Sequence, residues 1–293
     1  MKLDYKILWL EDDETWLKTI KNKIQSYISD KGYNPTIIDK LDFNGTTFYD
    51  EAKDSDIILV DYDLSSAFEK NGDALIKDLR DHKIYTNIVF YSSAYPDILS
   101  EIVRQNLSGI YYFERSQLEV DVIDSSLFEL IDFFLNRDAD INSLRGIAMA
   151  EVASFDKKIG DIIFHEEHKD AIIAKVREKL CKRSRIQEKD DDHIWKKLLG
   201  DKSTMYLDSK TRADFLYSKV LQESCSNCDR NEDCNCYNEF RDKYSSDIIE
   251  QRNKLAHHIE NADIDELKFR NSLIKFRGLL EKINSCSKIN QNS

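Results

Sequence analysis

A doubly wound α/β unit over residues 1–137, joined to an all-α helical bundle over residues 141–293, is the architecture this sequence predicts. Three observations carry it. Short, unbroken apolar runs alternate with amphipathic segments through the first half, and beyond it strand-like runs disappear. Only 2 Pro and 8 Gly punctuate the 293 residues, which favours long helices and short connections over a turn-rich β-sandwich. The length also suits two domains, each able to bury its own core.

Strands are expected at KILWL (6–10), TII (36–38), IILV (57–60), IVFY (88–91) and IYYF (110–113). Runs without polar alternation suit strands covered on both faces, so the sheet should be parallel and sandwiched between helices. Trp16, Ile20, Ile24 and Ile28 recur every four residues as one helical stripe. NGDALIKDLRD sets Ala74, Leu75 and Leu79 on a second helix face. YPDILSEIVRQN carries Pro96 where a first helical turn accepts it, and VIDSSLFELIDFFL is apolar enough for a docked closing helix. The polar stretch NRDADINS (136–143) marks the boundary. Beyond it, LRGIAMAEVASFDKKIGDII (144–163) repeats Ile147, Val152, Phe155, Ile159 and Ile162 as one long amphipathic helix. KDAIIAKVREKL, SKTRADFLYSKVLQE, YSSDIIEQRNKLAHH and DELKFRNSLIKFRGLLEKI follow the same logic, and an antiparallel bundle accommodates them.

The charge balance narrows the function. With 43 Lys plus Arg against 55 Asp plus Glu, the net charge of −12 repels phosphate backbones and anionic membrane surfaces. Any nucleic-acid contact must be local, and the second half offers no basic recognition helix, so DNA is not an expected partner. No apolar run approaches bilayer length, and the start MKLDYKILWLEDDE turns acidic too soon for a secretion signal. A cytoplasmic protein without membrane association is the expectation.

In open parallel sheets, ligands bind beyond the carboxyl ends of the strands. Acid stands there: LEDDE (10–14) ends the first run, VDYDL (60–64) the third and YSSA (91–94) the fourth. Glu11, Asp12 and Asp61 would converge at one edge, where carboxylates repel one another unless a cation offsets them. A hard ion such as Mg²⁺ suits such an oxygen cage. So screened, Asp61 becomes a candidate nucleophile toward a phosphoryl donor, and the Ser92 hydroxyl a holder of a phosphoryl oxygen. The alternative is that these acids merely cap strand ends.

Residues 4–137 resemble the receiver domain of two-component response regulators, on LEDD, VDYDL, Gly72 and YSSA in their order and spacing. The resemblance implies a flavodoxin-like sheet of order 2-1-3-4-5, Asp61 as phosphoacceptor, Glu11 and Asp12 as the acidic pair, Asp63 as a backbone ligand to Mg²⁺ and Ser92 as the switch hydroxyl. It also implies a sensor histidine kinase as partner. One departure stands out: Phe113 occupies the position where receivers carry a Lys, and Arg115 is the nearest cation.

Two features mark the second half. Cys225, Cys228, Cys234 and Cys236 form two close pairs, a spacing that lets four thiolates surround a structural Zn²⁺. The alternative is a cysteine-rich insertion without metal. In EQRNKLAHH (250–258), Arg252, Asn253 and His257 match the Arg-Asn-x-x-x-His pattern of the HEPN (higher eukaryotes and prokaryotes nucleotide-binding) domains, which residues 141–285 resemble mainly at this stretch. The resemblance implies metal-independent RNA cleavage, with histidine moving a proton near neutral pH and arginine stabilising the charge on the phosphorane. On an ideal helix Arg252 and His257 lie roughly 140° apart, whereas Asn253 and His257 share a face. Either the helix loosens near His257 or a second subunit brings another copy of the pair, and the resemblance to HEPN nucleases implies the latter, a homodimer. The other reading is a set of cations offsetting the dipole at a helix C-terminus.

The combined expectation is a response-regulator-like protein whose HEPN output cleaves RNA under control of Asp61 phosphorylation, a role suited to stress or antiphage defence. The alternatives are a non-catalytic HEPN module that dimerises or binds a partner as an adaptor, and a phosphate sink in a phosphorelay.

Overall fold

The computed structural model describes residues 3–40, 47–64, 68, 70–93, 109–118, 126–137, 141–182, 190–201, 207–221, 240, 243–256 and 264–285. It divides into two compact units, Lys2–Asp140 and Ile141–Ser293.

In the first unit, β1 (Asp4–Leu10), β2 (Asn34–Lys40), β3 (Ile57–Asp61), β4 (Asn87–Ser92) and β5 (Ile110–Glu114) pair in parallel in the order β2-β1-β3-β4-β5. This is the doubly wound arrangement expected, the strand order of receiver domains. Helices α1 (Glu14–Asp30), α2 (Phe48–Asp54), α3 (Gly72–Asp81) and α4 (Ser126–Arg137) flank it. Successive strand side chains point to opposite faces, so the sheet sorts its apolar residues into two cores. Ile7, Trp9, Leu59, Val89 and Tyr91 pack with Leu17, Ile20, Ile24 and Ile28 of α1 and Leu127, Phe128 and Ile131 of α4. Leu8, Leu10, Ile58, Val60 and Phe90 pack with α2 and α3 on the other face.

The expectation of strands buried on both faces holds for β3 and β4 and fails at the sheet edges. Ile37 is buried but its β2 neighbours are not, and in β5 Phe113 is buried while Ile110, Tyr111 and Tyr112 are half-buried. An edge strand has a neighbour on one side only and is covered less. Ala74 does not join the packed face of α3; it is exposed, and Ile76 takes its place beside Leu75 and Leu79. With 100° per residue, positions 75, 76 and 79 share an arc that excludes 74. The short helix α2 carries too few residues to show a period, which is why the sequence pattern does not reveal it. The segment with Pro96 lies outside the described residues.

The second unit is helical: α5 (Ile141–Ile163), α6 (Lys169–Lys182), α7 (Asp191–Asp201), α8 (Ser209–Phe215), α9 (Gln251–Ala256) and α10 (Glu266–Ser285). Helix α5 packs against α8, α9 and α10. Two segments expected to be plain α-helix contain π-helical turns, Leu216–Leu221 after α8 and Tyr244–Glu250 before α9. The wider turn shifts the apolar stripe and lets Tyr244, Ile248 and Ile249 all face inward. Helix α7, DDHIWKKLLGD, was not anticipated; Ile194, Trp195 and Leu198 are its buried residues. Among the described residues no helix is long and apolar enough to cross a membrane.

Candidate functional site

Because all five strands run the same way, their carboxyl ends meet at one edge of the sheet. Asp61 ends β3, Glu11 and Asp12 follow β1, Ser92 ends β4, and Arg115 follows β5. One carboxylate oxygen from each of Glu11, Asp12 and Asp61 lies within 4.8 Å of the other two. Glu11 is fully buried and Asp61 is 2% exposed, whereas Asp12 is half-buried and Asp63 exposed. Ser92 is also buried.

The backbone holds Asp61 firmly. The Tyr62 N–H donates to the Tyr91 carbonyl at 2.9 Å, and the Gly72 N–H to the Tyr62 carbonyl at 2.8 Å. The close approach of Gly72 explains its place in the motif: a Cβ there would stand 2.1 Å from the Asp61 carbonyl oxygen and 2.9 Å from the Phe90 ring. The backbone N–H groups of Tyr62 and Asp63 also act on the Asp61 carboxylate, favouring its charged form.

Electrostatically the cluster is tense. Burial, and then the charge of Glu11, push the Asp61 carboxyl up to about 7, against the downward pull of Arg115 and the two backbone donors. Burial likewise raises Glu11. Arg115 eases this crowding. Its guanidinium lies 3.5 Å from Asp61 Oδ2, 3.6 Å from Glu11 Oε1 and 3.1 Å from Asp13 Oδ2. Its Cζ stands 4.3 Å from the centre of the Trp16 ring, a cation–π contact. Phe113, at the position where the resemblance expects a lysine, is packed into the core with Tyr91. The register aligns Asp61 with Tyr91 and Tyr91 with Phe113 across the three strands. The positive charge therefore reaches the acids from two residues further along, where the chain turns into the 3₁₀ segment Arg115–Leu118.

The residue types fit a divalent cation. Carboxylate oxygens are the hard donors that Mg²⁺ takes, and a spread within 4.8 Å is close to the ~4.2 Å spanned by two opposite Mg–O bonds.

Two participants escaped sequence reasoning. Asp13 caps α1 by accepting from the Trp16 N–H at 3.0 Å and also pairs with Arg115. An Asp just before a helical stripe is a recognisable N-cap signal. Tyr91, fully buried, donates its hydroxyl to Glu11 Oε2 at 2.8 Å and accepts from Trp9 Nε1 at 2.7 Å. Nothing in the apolar run IVFY distinguishes this tyrosine from an ordinary core residue. Burial raises its phenol well above the usual range, which keeps it protonated and a donor.

In the helical unit, Arg252 and Asn253 fall in α9; Arg252 is half-buried and Asn253 exposed. Arg252 Nε is buried without a hydrogen-bond partner among the described residues, as are Asp156 Oδ1 and Tyr244 Oη. The Arg252 charge acts on both Asp156 and Tyr244. Asp156 accepts from Ser209 Oγ at 2.7 Å, yet burial still pushes its carboxyl above the usual range. His257 and Cys225, Cys228, Cys234 and Cys236 lie outside the described residues.

No family model and no curated protein matches this sequence. Among solved structures, the chain is similar to the receiver domain of the Francisella response regulator 1452, with 19% identity and a TM-score of 0.34 over 45% of this chain and 98% of that one. It is also similar to a chain in which the yeast Spc42 trimeric coiled coil is fused to another structure, with 18% identity and a TM-score of 0.34 over 46% and 79% of the two chains.

Proposed function

We propose that the Lys2–Asp140 unit is a phosphoacceptor of the response-regulator type, with Asp61 as the residue modified. The observation that carries this reading is the buried Asp61 carboxylate at the carboxyl edge of the sheet, grouped with Glu11 and Asp12 and facing the Arg115 guanidinium. An Asp61 oxygen attacks the phosphorus of a donor, the acyl phosphate bond forms, and the donor's own bond to phosphorus breaks with its electron pair leaving on the donor. A magnesium ion held by Glu11, Asp12, Asp61 and the Asp63 backbone carbonyl would supply the charge neutralisation that lets an anionic phosphoryl group approach. Arg115 is placed to pair with phosphoryl oxygens in the role the absent lysine leaves open, and Ser92 to donate its hydroxyl. A sensor histidine kinase is the natural donor.

The test is incubation of the full chain with acetyl phosphate and Mg²⁺, followed by intact mass measurement. Wild type should gain one phosphoryl group, Asp61→Asn none, and Asp63→Asn should still be labelled, since its part is played by the backbone. An unlabelled wild type, or labelling that survives in Asp61→Asn, overturns the assignment.

For the Ile141–Ser293 unit we infer an HEPN-type output that cleaves RNA as a homodimer, with Arg252, Asn253 and His257 as the reacting set. The favouring observation is the Arg252 guanidinium, partly withdrawn into the unit with Nε unmatched, beside an exposed Asn253. The Cys225, Cys228, Cys234 and Cys236 set would hold Zn²⁺ as a structural ion. Cleavage of RNA by the phosphodonor-treated wild type, lost in a folded His257→Ala variant, is the expected result. A wild type inert toward RNA in both states would favour the adaptor reading, or a phosphate sink if Asp61 is labelled with no further consequence.

A further inference from the structure

The chain Trp9, Tyr91 and Glu11 runs from the core of the sheet to the acid cluster, and its hydrogen-bond directions are forced. An indole N–H can only donate, so the Tyr91 oxygen accepts from Trp9 Nε1 at 2.7 Å. The single phenol proton is left for Glu11 Oε2, 2.8 Å away. The other oxygen, Oε1, accepts from the Asp13 backbone N–H at 2.9 Å and lies 3.6 Å from the Arg115 guanidinium. Both oxygens of Glu11 are therefore acceptors, and the inward one is tied to the phenol. Tyr91 and Glu11 are fully buried.

From this geometry we propose that Tyr91 is the positioning residue of the cation site. Its hydroxyl, oriented by Trp9, fixes the rotamer of the Glu11 side chain by holding Oε2, which leaves Oε1 on the Arg115 side of the cluster, and so sets the affinity for a divalent cation. Tyr91 touches neither the cation nor the phosphoryl group; it acts through Glu11. It is also next to Ser92 and level with Asp61 in the sheet register, so one strand carries both the hydroxyl that orients the acid pair and the one placed for the phosphoryl group.

The inference rests on the reading of Glu11, Asp12 and Asp61 as a cation site, and the experiment separates the two. Mg²⁺ binding to the full chain is measured by titration calorimetry for wild type, Tyr91→Phe, Trp9→Phe and Asp61→Asn, with the fold of each checked by circular dichroism. Wild type should bind Mg²⁺, and Asp61→Asn should lose that binding. Tyr91→Phe should bind about tenfold more weakly, the effect of one lost hydrogen bond to a charged acceptor. Trp9→Phe, which keeps the Tyr91 to Glu11 bond, should stay within about threefold of wild type, since only the outer bond of the chain is removed. In Tyr91→Phe the Trp9 indole loses its acceptor, and its emission should shift to shorter wavelength. If wild type binds Mg²⁺ and Tyr91→Phe binds it equally well, the proposal is overturned while the cation site stands. If Trp9→Phe weakens binding as much as Tyr91→Phe, core packing and not the phenol is responsible, and the proposal is again overturned. If wild type itself does not bind Mg²⁺, the cation-site reading falls, and the proposal with it.

Discussion

Asp61→Asn should make the parallel-sheet unit more stable at pH 8 in the presence of a chelator, by about 2–4 kcal/mol, although it removes the residue proposed to do the chemistry. Asp61 is 2% exposed, and its folded-state value of about 7 stands above the ordinary 3.8. A carboxyl raised in the folded state contributes stability that is fully present below its unfolded value and is lost as pH rises through its folded value. The loss therefore falls between about 3.8 and 7 and is complete at pH 8, where a buried charge faces Glu11 across the cluster. Asn keeps an acceptor for the Tyr62 and Asp63 N–H groups and removes the charge. Urea unfolding followed by Trp9 and Trp16 emission, at pH 5 and pH 8, measures the difference. The gain should shrink at pH 5, where more of Asp61 is protonated in the wild type. A variant no more stable than wild type at pH 8, or a gain identical at both pH values, would show that the cluster is not under the strain described. Negative charge held in excess at rest favours a bound cation, and this links the stability experiment to the proposed function.

In the helical unit the largest loss should come from Arg212→Met. Arg212 is fully buried on α8; its Nε donates to the Leu207 carbonyl at 3.0 Å and its Nη1 to the Asp156 carbonyl at 3.1 Å. Its Cζ stands 5.3 Å from the centre of the Phe164 ring. Methionine fills much of the volume but leaves two buried carbonyls without these donors and removes a positive charge that favours the ionised form of Asp156. Leaving two buried carbonyl acceptors without donors costs about 2–6 kcal/mol. Trp195, packed edge-on against Phe164, reports the transition in urea. A loss under about 1 kcal/mol would mean that water or the Arg252 charge replaces the guanidinium, and that Asp156 is not held from this side.

Much of the first unit was legible in the sequence because its signals are local. IILV and IVFY read as buried strands, and Ile20, Ile24 and Ile28 as a helix stripe, since burial imposes its period on neighbouring residues. The grouping of Glu11, Asp12 and Asp61 was legible as well, once a parallel sheet was inferred, because parallel strands deliver their carboxyl ends to one edge. The edges of the sheet were less so: β2 and β5 have the apolar character of inner strands but only one neighbour each. The π-helical turns at Leu216–Leu221 and Tyr244–Glu250 leave an apolar spacing that reads equally well as α-helix.

The strands, the acidic edge and the helical character of the second half were thus set by residue pattern, through periodicity and the directionality of a parallel sheet, while the order of the strands was legible only through the receiver resemblance. Which groups touch was decided in three dimensions. Arg115 meets Asp61 across 54 positions, Arg212 meets Asp156 across 56, and Tyr91 meets Glu11 across 80. Such pairs obey no spacing rule, because a hydrogen bond between distant segments depends on how packed layers bring them into register, and neither chain position nor residue type encodes that meeting on its own.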